Sequence, residues 1–256
     1  MWGQSFPEKA TRKYTVRPGL FRVFQYLERL ANAWSVQSSA MKNIVVLISG
    51  RGSNLEAVLR IAEAERWRET LQAAVVAVIS NRHDAAGLGI ARRFGIATTI
   101  IEHTAFPSRE AFDAALAAEI DRHDPVVVLL AGFMRVLTKD FVHRYAGRLI
   151  NIHPSLLPLF PGLHTHRQAL AAGVRVHGAT VHFVSDAVDA GGIIAQAVVP
   201  VRPSDDEGTL AARVLEQEHR LLPHALRLLL EQRVAYVDGH VVVRDCGTPD
   251  LALQVS

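Results

Sequence analysis

A chain of 256 residues, 49% hydrophobic and 21% charged, can hold one large α/β domain or two small ones and is too apolar to remain unfolded. Its longest apolar runs are of strand length, so no membrane-spanning helix is expected, and a single cysteine, Cys246, excludes an intrachain disulfide framework. The net charge of +3 comes from residues 1–40, with six basic against two acidic side chains; the remaining 22 basic and 23 acidic residues give no electrostatic signature for nucleic acid.

Residues 1–40 lack the apolar stretch of a secretory signal. Phe21, Phe24, Leu27, Leu30, Ala31 and Trp34 nevertheless fall at helical spacing. The segment reads as an extension, or as a stretch upstream of a natural start at Met41, with an organelle-targeting role the lesser alternative. From Met41 onward strands and helices alternate. Ile44–Ser49 is a β-branched strand, Asn54–Arg66 a helix and Ala73–Ser80 a buried strand. Ala85–Phe94 is a helix stopped by Gly95, and Ala97–Ile101 a third strand. Ser108–His123 is a helix capped by Ser108, followed by the apolar strand Val126–Ala131. Thr138–Tyr145 is a short helix and Leu149–His153 a fifth strand. This order implies a mostly parallel, open, twisted sheet with helices on both faces, Rossmann-like in its first half.

The later pattern differs. His166–Ala172 is helical, and His177–Val184 and Gly192–Val201 are successive strands that predict an antiparallel edge. Thr209–Leu230 is a long helix, expected to be interrupted at Pro223. Val234–Val237 and Val241–Val243 flank Asp238-Gly239 as a hairpin.

Four stretches could carry chemistry. Ser49-Gly50-Arg51-Gly52-Ser53-Asn54 joins a strand to a helix N-terminus, where free N–H groups suit an anion. Ser53 or Asn54 could cap that helix, and a plain tight turn is the alternative. Ala131–Leu137 places one arginine among apolar residues, which reads as a slot for a flat aromatic ligand or as a simple connection. Asn151 and His153 are two apart, so on a strand they share a face, setting an amide donor beside a titratable ring. Asp189, before Gly191-Gly192, is either a turn former or a charge that steadies His153. His164-Thr165-His166 has no further ligand at metal-binding spacing, so no metal is expected; no G-x-S-x-G elbow supports a serine hydrolase.

Taken together, Asn43–Leu55, Leu130–Arg135, Tyr145–Arg148, Asn151–Gly162 and Asp189–Gly192 resemble the phosphoribosylglycinamide formyltransferase family, collinearly from about Met41 to about Leu230. The resemblance implies formyl transfer from 10-formyltetrahydrofolate to the amine of glycinamide ribonucleotide in purine synthesis, without a metal. By position it implies Asn151, His153 and Asp189 as the catalytic trio. Gly52, Ser53, Asn54, Leu55, Glu56 and Glu218 would bind the ribonucleotide. Arg109, Met134, Arg135, Val136, Leu137, Asn151, Ser185 and Asp186 would bind the folate. It further implies a single formyltransferase domain over 41–256, divided into a nucleotide-binding half (41–150) and a catalytic and folate-binding half (151–256). A cytoplasmic monomer or homodimer with small-molecule partners only is expected. The related methionyl-tRNA formyltransferases carry a further C-terminal domain. The deformylases carry an N-terminal domain and usually lack Pro154 after the histidine; such a hydrolase is the alternative, and a non-catalytic folate or nucleotide sensor is a lesser one. The chain departs from some relatives at Ile193, where a proline often follows the two glycines.

Overall fold

The chain enters on β1 (Lys42–Ile48), whose side chains are divided between two oily faces. Ile44, Val46 and Ile48 join one core cluster, while Val45 and Leu47 join the other. β4 (Pro125–Leu130) is split in the same way, with Val127 and Leu129 against Val128 and Leu130. Strands buried on both faces are continuous apolar runs, as their sequences are. The computed structural model describes residues 40–237, 240–244 and 252–254. The expected helix at Phe21–Trp34 and the Asp238-Gly239 turn lie outside the described residues.

β1, β4, β2 (Ala73–Ser80), β3 (Ala97–Ile100) and β5 (Leu149–His153) form a parallel set. β6 (Val176–Phe183) is antiparallel to β5 and to β7 (Ile193–Pro200), as predicted. A short β10 (Ala252–Gln254), absent from the expectation, runs parallel to β7 at the sheet edge. The order across the sheet is β10-β7-β6-β5-β4-β1-β2-β3. The connections reverse direction between β4 and β1, the point at whose carboxyl ends open α/β sheets bind ligands.

One face is covered by α1 (Ser53–Ala64), the single-turn α2 (Trp67–Thr70), α3 (Ala86–Arg93), α6 (Thr165–Ala171) and α7 (Glu207–Leu230). The other is covered by α4 (Arg109–Asp121) and α5 (Lys139–Arg144), with Phe112, Leu116, Phe141 and Tyr145 inside. Ser108 caps α4 by accepting from the Ala111 N–H, as expected. Asp206 caps α7, and its pairing with Thr209 completes a capping box.

Two local expectations are corrected. α7 continues through Pro223 as one helix. Proline removes a single helical hydrogen bond, and burial of Leu221, Leu222, Ala225, Leu226, Leu228 and Leu229 against the sheet outweighs that loss. Neither Ser53 nor Asn54 caps α1; Gly52 does so in a left-handed conformation (φ 77°), with no side-chain hydrogen bond. β8 (Val234–Val237) and β9 (His240–Val243) form the expected hairpin.

Candidate active site

Period-two geometry on β5 decides which residues face the site. Ile150 and Ile152 point into the cluster that holds α7, and Leu149 into the cluster that holds α4 and α5. Asn151 and His153 therefore share the face of Leu149. Antiparallel pairing sets His182 of β6 opposite Asn151 and Thr180 opposite His153. Ala179, Val181 and Phe183 fill the α7 side, so the alternate residues of β6 also present polar groups to the site face.

The Asp189 loop folds over this face. Its Oδ2 is 3.3 Å from His153 Nδ1 and accepts from the Gly162 N–H at 2.8 Å. Both side chains are largely buried, 7% and 12% exposed. His153 Nε2 donates to the Phe160 carbonyl at 3.1 Å, so both ring nitrogens face oxygen acceptors. The structure thus brings Asp189 onto His153, with Asn151 on the same strand face. It adds His182, whose Nδ1 donates to the Phe183 carbonyl at 2.9 Å. That bond leaves Nε2 as an acceptor for the Asn151 amide, 3.3 Å away. Burial pushes the His182 ring below its usual range, against the opposing pull of the Phe183 carbonyl and Asp189. The alternation of β6 was visible in sequence, but nothing local marks which of its histidines meets Asn151.

The loop after His153 is pinned from several sides. Thr180 Oγ1 donates to the Ser155 carbonyl at 2.6 Å, Thr165 Oγ1 to the Pro154 carbonyl at 2.7 Å, and Ser155 Oγ to the Leu159 carbonyl at 2.6 Å.

The β1 and β4 exits lie side by side at the strand-order reversal. Ser49 Oγ accepts from the Met134 N–H at 2.8 Å and donates to Asn81 Oδ1 at 2.6 Å. Gly50 accepts from the Gly87 N–H at 3.0 Å, and a Cβ on Gly52 would lie 2.5 Å from Gly87 Cα. The first helical bond of α1 runs from the Glu56 N–H to the Gly52 carbonyl, so the N–H groups of Ser53, Asn54 and Leu55 precede it. The Leu55 side chain is fully buried, which leaves only its backbone to meet a ligand. The side chain of Glu56 pairs with Arg60 one turn along.

Asn54 Nδ2 donates to Glu218 Oε2 at 2.7 Å, tying the loop to α7. Burial raises the Glu218 carboxyl above its ordinary value, only partly offset by Asn54, and Asn54 Oδ1 is buried with no protein partner.

Among the predicted folate contacts, Met134 and Val136 are exposed (74% and 57%), while Leu137 is half-buried. Arg135 lies between them with its guanidinium carbon 5.8 Å from the Phe112 ring centre and its Nε buried without a partner. Ser185 donates to the Ala187 carbonyl, and Asp186 pairs with His143 at 3.0 Å on the surface. Arg109 is exposed in the first turn of α4, and no hydrogen bond among the described residues ties it to the trio. No group of three or more metal-ligating side chains is found among the described residues. No described helix is long and apolar enough to cross a membrane.

Comparison with known proteins extends this geometry. The profile described as formyl transferase matches residues 42–226. The chain is 51% identical over 203 residues to the phosphoribosylglycinamide formyltransferase of Escherichia coli (strain K12), spanning 77% of this chain and 94% of that protein. It superposes on a glycinamide ribonucleotide transformylase from Symbiobacterium toebii with a TM-score of 0.76 and 46% identity, covering 80% and 95% of the two chains. A formyltetrahydrofolate deformylase from Pseudomonas syringae pv. tomato is more distant, at 31% identity and TM-score 0.73, with 81% of this chain and 67% of that one covered. With most of its length matched by the profile and by whole relatives, the chain belongs to the formyl transferase family.

Proposed function

We propose that this chain transfers a formyl group from 10-formyltetrahydrofolate to the primary amine of glycinamide ribonucleotide in purine biosynthesis. The observation that carries the reading is His153 Nδ1 held 3.3 Å from Asp189 Oδ2, with the Asn151 amide on the same strand face. The 51% identity to a formyltransferase of that name supports the substrate pair over the deformylase reading. A cytoplasmic location accords with that pathway.

The residues suit both substrates. The N–H groups at the start of α1 face an anion such as the ribonucleotide phosphate. Glu218, partnered by Asn54, offers a carboxyl group to the amine end. The exposed apolar surface of Met134 and Val136 fits the donor's flat ring, and the unpartnered Arg135 Nε fits its acceptor edge. The donor supplies an activated formyl group on nitrogen. The amine attacks the formyl carbon, a C–N bond forms, and the carbonyl oxygen becomes an oxyanion. Asn151 and His153 donate to that oxygen, while Asp189, 3.3 Å from Nδ1, holds the imidazole ring in place. The bond to the donor nitrogen then breaks as a proton passes from the attacking amine to that nitrogen, directly or through His153. His153 Nε2 must exchange its bond to Phe160 for one to substrate along the way.

The test is to incubate the purified full chain with 10-formyltetrahydrofolate, with and without the ribonucleotide, and to follow formylated product by mass spectrometry. Donor consumption that depends on the ribonucleotide is expected. Rapid formate release without it would reverse the reading in favour of a hydrolase, and binding of both without turnover would point to a sensor.

A further inference from the structure

The hairpin β8–β9 has no part in the chemistry just described, yet it is packed against the root of the loop that carries Asp189. The Tyr236 ring lies against the buried Phe183 ring, with centres 5.0 Å apart and planes tilted by 34°. Phe183 closes the loop by donating its N–H to the Gly192 carbonyl at 2.9 Å. Both glycines at this root are enclosed. A Cβ on Gly191 would lie 1.7 Å from the Phe183 carbonyl oxygen. One on Gly192 would lie 2.6 Å from Val241 Cγ2 and 3.0 Å from Tyr236 Cε2. The loop end is therefore clamped between the end of β6 and the hairpin, where only glycine fits. Ile193 follows directly, so no proline ring stiffens this end.

Asp189 is two residues from Gly191 and three from Gly192. It holds a left-handed backbone (φ 52°), unusual for a residue other than glycine, and its carboxylate spans His153 and the Gly162 N–H. Such a conformation persists only where the surroundings determine it. The hairpin is a firm support, because Val234 and Val237 are buried and the Arg244 N–H donates to the Arg233 carbonyl at 2.7 Å across its open end.

We propose that Tyr236, seconded by Val241, is a positioning residue that holds the 185–192 loop so that the Asp189 carboxylate stays on His153. This rests on the formyl-transfer reading. No hydrogen bond or ring contact among the described residues ties Tyr236 to the trio or to the α1 loop; its ring meets Phe183 and the Gly192 root. Its loss therefore acts on turnover and on the donor side, and leaves the ribonucleotide side alone.

The test uses the full chain with Tyr236→Ala, Tyr236→Phe and Gly192→Ala. The alanine variants are expected to lower kcat on the order of tenfold and to raise the donor KM, because a small misplacement of a working group is costly. The ribonucleotide KM stays at the wild-type value, and Tyr236→Phe, which keeps the ring, restores wild-type kinetics. The proposal is overturned if folded Tyr236→Ala and Gly192→Ala both retain kcat within about twofold of wild type, or if the ribonucleotide KM moves in step with kcat. It is also overturned if the phenylalanine variant is as impaired as the alanine one. Should Tyr236→Ala not fold, Gly192→Ala and Val241→Ala decide by the same criteria. An inactive wild type sinks the transfer reading and this inference with it; an active wild type with indifferent variants sinks this inference alone.

Discussion

His182 holds the Asn151 amide by offering it a ring nitrogen at 3.3 Å, while its other nitrogen is committed to the Phe183 carbonyl. One Asn151 N–H is thereby fixed and the second is aimed by the same bond. Replacing His182 with leucine removes the acceptor and lets the amide turn. A fall in kcat of about tenfold is expected, equal to about 1.4 kcal/mol, the size of one hydrogen bond. A glutamine side chain keeps an acceptor, so His182→Gln is expected to recover part of that loss. Steady-state kinetics of the two variants check this, and equal kcat in both would remove the orienting role.

Asp189→Asn keeps the shape of the loop and the Gly162 contact but removes the negative charge facing His153. Turnover is expected to fall by about 10² to 10⁴, the usual share of positioned proton transfer, with ribonucleotide binding near wild type. Calorimetric titration of the ribonucleotide beside kcat measurements separates the two effects. Parallel losses in both would argue that Asp189 only holds the loop.

Much of this arrangement was legible because its signals are local. The β/α alternation, the Ser108 cap and the shared face of Asn151 and His153 each follow from spacing within one element. What escaped depends on partners distant in the chain. His182 matters because β5 and β6 pair in one register, Asn151 with His182, and no window of sequence records that pairing. Gly52, not Ser53 or Asn54, begins α1 because Gly87 presses on it from α3, a contact between residues 35 apart. Pro223 remained inside a helix because the sheet beneath α7 supplies the burial that an isolated segment lacks. The three-residue β10 is too short for any periodicity to mark it.

The Gly52 contact has its own consequence. At φ 77°, with a Cβ placed 2.5 Å from Gly87 Cα, alanine has neither the conformation nor the room. Gly52→Ala is expected to cost at least about 1 kcal/mol of stability and to raise the ribonucleotide KM more than the donor KM. Thermal melting and separate KM determinations test this; a change confined to the donor would contradict an anion site at α1.

Acid should loosen the region behind the site. His177 is fully buried, and burial, with the nearby His166 ring adding to it, pushes its pKa down to about 4 from 6.5. Below 6.5 the unfolded chain takes up a proton that the folded ring refuses until about 4. Stability from this group is therefore intact above 6.5 and falls across that window, by roughly 3 kcal/mol at full extent. Melting temperature against pH should show a steep acid limb that His177→Leu flattens. The limb would persist unchanged in that variant if other groups controlled it.

The alternation along β5 and β6 binds two requirements into one reading frame. Ile150, Ile152, Val181 and Phe183 hold α7 to the sheet, and the residues between them, Asn151, His153 and His182, form the polar side. A one-residue insertion or deletion within either strand would turn imidazoles into the oil and isoleucines toward the reactants. Such a change forfeits folding together with activity, so lineages of this chain should vary in length at their loops while these two strands keep their count.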